Sequence, residues 1–431
     1  MQTEHKITSA VITNDVLSVV GYEIDVAPNI VEYNFYQNLQ TPYVHGTIVL
    51  VDDQNLRGTV QMTGTEKITI TMAENFNGET REIFSKRFVM VAIKAAAAIN
   101  ERADSLVFHI IEEHNFTSNI KRISKSYTGF SEQIVKRIMS EELGRETVLV
   151  GRGSAQGPRK LVVPYLQPIE AAAWVLKNAT TSNGFPLFVF GNLYNDTIYI
   201  DDLETILDRP VNNPKLPLLY TITAANTEAA KISHIKDYMV TSQDDLLKSL
   251  SLGVIGSSYS ITNIDNGTTR QQNISSRNIL QQMKVDNLID EKFALDIIDP
   301  MLQVDGKLYD QYPTVNVHQV ESGRSYPEFN NYTQEQTPDA LRMKSHVIRE
   351  LFNRKTIQIT MDAFMPINRK LIPSNKINIL FPDKAISGKG GPSALDKKLT
   401  GTYMITSIHH EISRSGSNTS RMTLVRVDGL A

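Results

Sequence analysis

Apolar and polar residues alternate along short segments in the first quarter of the chain. Ile68, Ile70 and Met72 alternate with threonines, which is the period-two pattern of a strand with one buried face. The segment 75–78, Asn-Phe-Asn-Gly, predicts a hairpin turn directly after this strand. Other runs rich in strand-forming residues are 17–26, 43–51, 84–93 and 106–111. Short strands joined by frequent turns favour a small barrel or sandwich over residues 1–115.

Residues 116–217 show a different pattern, with apolar residues at helical spacing. Ser131 is predicted as the N-cap of a helix that ends at Leu143, where Gly144 supplies the stop. Pro168 occupies the first-turn position of a second helix. Two apolar strands, LFVF and TIYI, follow this helix. The alternation of helices and strands predicts a compact α/β domain.

The stretch 263–345 differs from both of its flanks. It is rich in Asn, Gln, Ser and Thr and has few aliphatic runs. This composition predicts an inserted lobe or a set of arms that depends on a partner for order. Strand patterns return after it, at 357–361, 376–381, 401–409 and 421–427.

Composition narrows the classes of function. The chain has 431 residues, of which 41% are hydrophobic and 21% charged, as is ordinary for a soluble globular protein. The net charge of −3 gives no sign of nucleic-acid binding, and no segment resembles a signal peptide or a membrane span. Because the chain has no cysteine, disulfides and cysteine catalysis are excluded. Because no segment resembles a signal peptide or a membrane span, we expect synthesis in the cytoplasm without secretion.

Two clusters of acidic residues and histidines look like metal sites on paper. They are Glu112-Glu113-His114 and His409-His410-Glu411. Both fall at predicted strand ends, where neighbouring side chains point to opposite faces of the sheet. Adjacent residues there do not easily converge on one ion, and metal sites usually take ligands from separate elements. The sequence therefore predicts no metal site and no cofactor.

No nucleophile, base and orienting residue come together in a catalytic motif. The Gly-rich segment 388–391 lacks the spacing of a phosphate loop and is followed by Pro392, so a hairpin loop is predicted there. The remaining charged candidates are Asp52-Asp53, Asp201-Asp202 and the basic cluster of Lys121, Arg122 and Lys125. Strand ends and turns favour a structural role for the aspartates. We predict no catalytic residue, and a surface face or a partner contact for the basic cluster.

An ordered set of motifs carries a family resemblance. The motifs are YQNLQTPYVHGTIVLVDDQNLR (36–57), GTEKITITM (64–72), RISKSYTGFSEQIVKRIMSEELG (122–144), VPYLQPIEAAAWVLKNAT (163–180), PLFVFGNLYNDTIYIDDLETI (186–206) and LTGTYMITSIHHEISRSGSNTSRMTLVRV (399–427). In this order and spacing they resemble the baseplate hub proteins of contractile-tailed phages, which are related to the hub part of type VI secretion spikes. The resemblance covers most of the chain outside 263–345.

The resemblance implies a fold and a division into domains. The implied fold is mainly β with α/β parts: two tube-protein-like β-barrels, an α/β domain and an inserted irregular domain, assembled as a trimeric ring. The implied domains are 1–115 for the first barrel, 116–217 for the α/β domain, 218–262 with 346–431 for the second barrel, and 263–345 for the insert. The alternation of Ile377, Ile379 and Phe381 also parallels that of Ile68, Ile70 and Met72.

The function that the resemblance implies is that of a structural baseplate hub in the virion tail, without catalytic activity. A homotrimer would carry the tail spike protein on one face and meet the tail tube or a tube-initiator protein on the other. Other baseplate proteins would bind around it. The ring would adapt a trimeric spike to a hexameric tube. Its central channel would leave room for DNA to pass without sequence-specific binding.

Two other classes of function stay open from the sequence. One is a tail-associated cell-wall hydrolase, which turnover of peptidoglycan by the purified chain would favour. The other is a receptor- or glycan-binding tail protein, which glycan binding by the isolated chain would favour. Neither class has a sequence feature of its own here, whereas the hub interpretation has several ordered motifs.

Overall fold

The described part of the chain folds mainly into β-strands, with few helices. The computed structural model describes residues 4–14, 23–53, 55–56, 64–76, 79–100, 103–154, 158–177, 179–221, 233–242, 246–264, 267–289, 303–321, 338–353, 356–361, 370–382, 395–414 and 418–428. Among these residues the strands form one sheet of thirteen strands and four small sheets of two or three strands.

The first of the two barrels lies in the N-terminal quarter of the chain. Its strands are Glu4–Thr13 (β1), Ile24–Asp25 (β2), Ile30–Asn38 (β3), His45–Asp52 (β4), Lys67–Phe76 (β5), Glu79–Asn100 (β6) and Ala103–Glu112 (β7). They pair in the order β1-β5-β6-β7-β4-β3, with the short β2 beside β1. The predicted alternation is confirmed, since Ile68, Ile70 and Met72 are fully buried.

One hydrophobic core fills the first barrel. It takes side chains from every long strand, among them Ala10, Phe35, Ile48, Ile70, Phe88 and Phe108. The segment between β2 and β3 brings the two edges of the sheet together, because the N–H of Val26 donates to the carbonyl of Ala10 at 2.8 Å. The Asp25 carboxylate accepts from the N–H of Ala10 at 3.0 Å. Burial of each large apolar side chain contributes about 1.5–3 kcal/mol.

Strand β6 is much longer than the predicted segment 84–93. It begins opposite the end of β5, with Glu79 paired to Phe76 across the predicted turn. Its pairing with β5 ends at Val89, yet β6 continues to Asn100 because its second half stays paired with β7. The second half of β6 therefore extends past its neighbour on one side.

The α/β domain follows β7 directly. Its elements are Glu113–Ile120 (α1), Ser126–Gly129 (β8), Ser131–Leu143 (α2), Thr147–Leu149 (β9), Arg159–Val162 (β10), Pro168–Lys177 (α3), Leu187–Phe190 (β11), Ile198–Asp202 (β12) and Leu203–Asp208 (α4). Helices α2 and α3 and the sheet β11-β12-β9 share one core. Two predictions are confirmed here: Gly144 ends α2 with φ of 64°, and Pro168 begins α3.

The prediction that Ser131 caps α2 is wrong. The helix begins at Ser131, and Phe130 occupies the N-cap position. The N–H of Phe130 donates to the side chain of Gln133 at 3.4 Å. The N–H of Ser131 itself is satisfied by the hydroxyl of Ser154, 3.3 Å away. A capping serine is not needed, because a side chain from a distant loop accepts from the first turn.

Two strands come next in the chain. The elements that follow them, from Leu246–Ser251 to Pro338–Asn353, form a region that we call the lobe. The elements are Leu218–Tyr220 (β13), His234–Ser242 (β14), Leu246–Ser251 (α5), Gly256–Asn263 (β15), Thr269–Ser275 (β16), Ser276–Val285 (α6), Gln303–Val304 (β17), Lys307–Leu308 (β18), Val315–Glu321 (β19) and Pro338–Asn353 (α7). Strand β15 lies within the range predicted for the second barrel, yet it is the central strand of the lobe sheet β16-β15-β19. The domain boundaries themselves stay a prediction.

The second barrel is closed and has six strands. Its last four strands are Thr356–Met361 (β20), Lys376–Leu380 (β21), Gly401–Ser413 (β22) and Asn418–Asp428 (β23). With β13 and β14 they pair in the order β13-β21-β22-β23-β20-β14, and β14 pairs again with β13. All four strand patterns predicted in this part of the chain are confirmed.

The two barrels repeat one strand order. The first has β1-β5-β6-β7-β4-β3 and the second β13-β21-β22-β23-β20-β14, so that β6 corresponds to β22 and β3 to β14. The parallel between Ile68 in β5 and Ile377 in β21 fits this correspondence, since both strands occupy the second place in the order. The predicted segment 17–26 lies outside the described residues except for its last four positions.

Candidate functional site: the junction between the two barrels

The two barrels join edge to edge in one sheet. Strand β3 pairs antiparallel with β22 over seven residue pairs, from Ser407 opposite Asn38 to Ser413 opposite Glu32. The first half of β22 pairs with β21 in its own barrel, and only the second half pairs with β3. Ile412 of β22 enters the core of the first barrel and is 3% exposed. The junction therefore combines main-chain hydrogen bonds with a shared core.

A row of stacked rings crosses this junction on the face away from the core. The ring of Tyr36 lies 4.3 Å from that of His409 and 5.3 Å from that of His45, measured between centroids. Nε2 of His409 lies 2.7 Å from Oδ1 of Asn34. His45 meets His109 edge-on at 6.2 Å. Cross-strand pairs of this kind stabilise a sheet by about 0.2–1 kcal/mol each.

The surroundings of the histidines in this row favour their neutral form. Burial lowers the pKa of His45, His109 and His409 below the ordinary value. The positive charge of Lys94 acts in the same direction on the first two, and that of Arg421 on the third. Neutral rings stack without charge repulsion, which suits a permanent junction near neutral pH.

A buried lysine, paired with a glutamate of its own barrel, connects the first barrel to the α/β domain. Nζ of Lys86 in β6 lies 2.6 Å from a carboxylate oxygen of Glu112, and both side chains are 3% exposed. Lys86 also donates to the main-chain carbonyls of Asn192 and Asn195, which lie between β11 and β12. The second Glu112 oxygen accepts from the N–H of Val44. Loss of one partner would leave the other charge buried and uncompensated.

A further core connects the α/β domain, the lobe and the second barrel. Its buried side chains include Phe188 of β11, Ile279 of α6, Val347 of α7 and Val425 of β23. Helix α7 leads the chain from the lobe back into β20. Each of these three regions therefore contributes apolar surface to one shared cluster.

The first predicted cluster, at the end of β7, divides among three different partners. Glu112 belongs to the buried ion pair just described. Glu113, the first residue of α1, pairs with Lys67 of β5. Nε2 of His114 lies 2.8 Å from the carbonyl oxygen of Pro42. The three side chains therefore hold separate structural contacts and do not converge.

The second predicted cluster lies in β22, on both of its faces. Nδ1 of His410 lies 2.8 Å from the hydroxyl of Ser420, and burial lowers the pKa of His410 to about 3. On the other face His409 stacks in the ring row, and Glu411 lies 3.8 Å from Arg421. For this cluster the prediction that neighbouring side chains point to opposite faces of a strand is confirmed. For the first cluster it is wrong, because Glu113 and His114 lie in helix α1.

The paired aspartates at the end of β12 have separate roles. Asp201 is buried and accepts from Arg209 at 2.8 Å, and burial raises the pKa of its carboxyl to about 6. Asp202 caps α4, because its side chain accepts from the N–H of Thr205 at 2.7 Å. Both carboxylates thus stabilise the local fold.

The remaining charged candidates also bind within the fold. Asp52 and Asp53 accept hydrogen bonds from neighbouring turn and loop residues. In the basic cluster, Lys121 donates to a carbonyl of α2, and Arg122 donates to carbonyls at the end of α1. Lys125 lies 2.6 Å from a carboxylate of α2. All three basic side chains are exposed, in agreement with the predicted surface face.

Within the described ranges, no group of three or more His, Cys, Asp or Glu side chains is placed to hold a metal ion. None of the helices in the described part of the chain is long and apolar enough to cross a membrane. The segment 388–391 and Pro392 lie outside the described residues.

The structural roles of Lys86, Tyr36 and His409 were missed from the sequence. Lys86 had one usable signal, since it is a lysine within the apolar strand pattern at 84–93. Tyr36 and His409 had none, because they lie at opposite ends of the chain and meet only through the pairing of β3 with β22.

The fold of this chain is similar to that of solved tail proteins. A solved tail protein from Neisseria meningitidis aligns with 99% of this chain and 97% of its own length, with a TM-score of 0.53 and 10% identity. The 43 kDa tail protein of prophage MuSo2 from Shewanella oneidensis aligns with 97% of this chain and 98% of its own, with a TM-score of 0.53 and 9% identity.

A component of the type VI secretion system of E. coli aligns with 99% of this chain and 78% of its own, with a TM-score of 0.45 and 10% identity. The fold assignment rests on the two tail proteins, whose TM-scores exceed 0.5. At such low identities the likeness shows the fold alone. A scan of known sequence families finds no match for this chain, and a search of curated proteins finds none either.

Proposed function

We propose that this protein is the structural hub of the baseplate of a contractile phage tail, acting as a homotrimer and not as an enzyme. The observation that carries the proposal is the repeated barrel: one strand order occurs twice in the chain, and the two copies join edge to edge through β3 and β22. The tail-protein fold supports it.

The repeat suggests how such a hub matches two symmetries. Three chains with two like barrels each present six similar units around an axis. Such a ring offers a near-sixfold face to a hexameric tail tube or its initiator, and keeps threefold symmetry towards a trimeric spike. Other baseplate proteins bind at its outside, and DNA passes through the central channel. The working location is the tail of the virion.

The contacts described above suit a part that transmits axial force. The sheet continues from one barrel into the other without a flexible linker at the β3–β22 contact. Lys86 fixes the α/β domain to the first barrel through its hydrogen bonds to the carbonyls of Asn192 and Asn195, and the shared core around Val347 fixes the lobe to the second barrel. A load applied to one region therefore reaches the others through packed contacts.

Electron microscopy tests the proposed location directly. Tails assembled with a hub that carries a small tag should bind a tag-specific label at the baseplate, on the tail axis, between tube and spike. Labelling of peripheral fibres would overturn the proposal and favour a receptor-binding protein.

An activity measurement tests the enzymatic alternative. The purified chain, incubated with peptidoglycan beside a known muramidase, should release no soluble fragments. Fragment release that scales with the amount of chain would overturn the proposal in favour of a cell-wall hydrolase.

A further inference from the structure

The second half of β6 presents an exposed strand edge. Beyond Met90, whose N–H donates to the carbonyl of Glu66 at 2.8 Å, β6 pairs among the described residues only with β7. Residues 92–99 read AIKAAAAI, and each of them is exposed, with Ile99 at 53%. An apolar strand edge without proline and with a single charge is a template for pairing with another strand. We refer to residues 92–99 as the overhang.

The corresponding part of the second barrel is covered. Strand β22 holds the place of β6, and both strands carry a bulge after their pairing with the neighbour, between Met90 and Ala92 in β6 and between Ile405 and Ser407 in β22. After its bulge, β22 pairs with β3 of the first barrel. The overhang of β6 is therefore the counterpart of a strand segment that already forms a barrel-to-barrel junction.

The strand that corresponds to β3 also has an edge available. Strand β3 pairs with β4 on one edge and with β22 on the other. Strand β14 pairs with β20 on one edge, whereas on the other its described pairing is with β13 at His234 and Ile235 alone. Farther along β14, Met239 is 56% exposed and Val240 37%. The two halves of a second junction are thus present in each chain.

The strand registers establish the correspondence residue by residue. In the first barrel the paired row across β6, β7, β4 and β3 is Ile93, Phe108, Ile48 and Tyr33. In the second barrel the paired row across β22, β23, β20 and β14 is Ile408, Met422, Ile359 and Tyr238. All eight residues in these rows are apolar or aromatic, and Tyr33 and Tyr238 occupy matching places. Ile93 therefore corresponds to Ile408, and Tyr33 to Tyr238.

We propose that the overhang of one chain pairs antiparallel with β14 of a second copy of this chain, repeating the β3–β22 junction between subunits. Ile408 lies opposite Gln37, four residues after Tyr33. The matching position in β14, four residues after Tyr238, is Ser242, which places Ile93 opposite Ser242. Residues 95–98 then run beside residues 237–241 of the neighbouring copy.

This pairing joins two different patches, so it is head-to-tail and generates a ring or an open helix. The strand pairing alone does not set the number of subunits. The number three comes from the trimeric ring of the proposed function, and the inference rests on that function in this respect only. Six barrels would then be linked alternately by the junction within each chain and by the same junction between chains.

Disulfide trapping tests the pairing in a chain that has no cysteine of its own. Because β6 bulges again next to Lys94, two registers are tried: Ala95→Cys with Thr241→Cys, and Ala95→Cys with Val240→Cys. After mild oxidation, one of these double variants should run as covalent dimer and trimer in denaturing gels. In the control, Ala95→Cys with Lys236→Cys, the second cysteine lies about 13–17 Å farther along the strand, beyond the reach of a disulfide.

Charge on the overhang gives a second readout that does not depend on oxidation. The double variant Ala96→Lys with Ala98→Lys should shift the mass in light scattering from trimer to monomer without lowering the Tm of the monomer, since both side chains are exposed. The matched control, Thr80→Lys, changes an exposed residue in the other half of β6, where the strand pairs with β5, and should remain trimeric.

The outcomes separate the strand pairing from the ring. A trimer that forms no cross-link in either register, or that survives both lysines, overturns the strand pairing and leaves the hub proposal intact. Equal cross-linking of the Lys236 control also overturns it. A wild-type chain that stays monomeric at all concentrations overturns both the pairing and the trimeric ring.

Discussion

The second half of β22 and the second half of β6 hold the same place in two barrels of like strand order, yet only the first is covered. In β22 this segment pairs with β3 and places Ile412 in a core. In β6 the corresponding segment, residues 92–99, is exposed at all eight positions. Five of these residues are alanine and one is Lys94. The contrast separates an edge that is satisfied within the chain from an edge that awaits a second copy.

The composition of the two segments follows from this difference. The covered segment carries large side chains, His409 and Ile412, which meet fixed partners in β3 and in the first-barrel core. The overhang carries mainly alanine, which exposes little apolar surface before assembly and leaves space for the partner's side chains. A permanent contact tolerates more large apolar side chains than an edge exposed before assembly, and the overhang has only two, Ile93 and Ile99.

The largest expected effect comes from the buried Lys86–Glu112 pair of the first barrel. Lys86→Met leaves Glu112 charged and buried without its partner, and should cost about 3–5 kcal/mol in the free energy of unfolding, measured in urea. In the control, Lys67→Met breaks the half-exposed pair with Glu113 and should cost less than about 1 kcal/mol. Equal losses of unfolding free energy in the two variants would show that the buried Lys86–Glu112 pair contributes no more than the half-exposed pair.

The covered and uncovered segments are compared directly by one substitution made in each. Ile412→Ala removes a buried side chain and should cost about 2–5 kcal/mol in the free energy of unfolding. Ile99→Ala trims an exposed side chain and should change it by less than about 0.5 kcal/mol. Urea titration of both variants below the concentration of assembly measures the contrast. A large loss for Ile99→Ala would show that the overhang is buried within one chain.

Lowering the pH should destabilise the second half of β22, because His410 is buried there. Its pKa is lowered to about 3 by burial, against about 6.5 in an unfolded chain. The contribution of neutral His410 to the free energy of unfolding is therefore fully present above pH 6.5. It is lost as the pH falls towards 3, by up to about 1.4 kcal/mol per pH unit. His410→Gln should flatten this dependence, whereas His318→Gln, at an exposed position, should leave it unchanged. An unaltered pH profile in His410→Gln would exclude this residue as the source.

The smallest expected effect concerns the stacked side-chain rings of Tyr36 and His409 at the junction between the barrels. A double-mutant cycle with Tyr36→Ala and His409→Ala should give a coupling of about 0.5–1 kcal/mol in the free energy of unfolding. The pair Tyr220 and Tyr238, which meet edge-on at 4.8 Å within the second barrel, serves as a reference cycle. Zero coupling between Tyr36 and His409 would mean that the stacking adds nothing to the paired strands.

Local patterns in the sequence predicted the strands and helices but not the contacts between them. The alternation at Ile68 to Met72 and the stop at Gly144 depend on neighbouring residues alone, and both were predicted correctly. The cap of α2 was predicted wrongly, since the hydroxyl that accepts from Ser131 belongs to Ser154, a residue far along the chain.

The extent of β6 was also underestimated, for a related reason. A run of alanines has low intrinsic strand preference, so the pattern ends near Ile93. The strand continues because β7 supplies hydrogen bonds as far as Asn100. The junction depends in the same way on residues from both ends of the chain, such as Asn34 and His409, whose meeting no local pattern can reveal.

Single-particle electron microscopy of the purified protein tests the proposed hub most directly. We expect a threefold ring with a central hole and a mass near three times 48.3 kDa. The two barrels of each chain should be related by about 60° around the axis, as sixfold geometry demands. Monomeric particles, or a ring in which the two barrels of a chain are not related in this way, would contradict the symmetry-adapting hub.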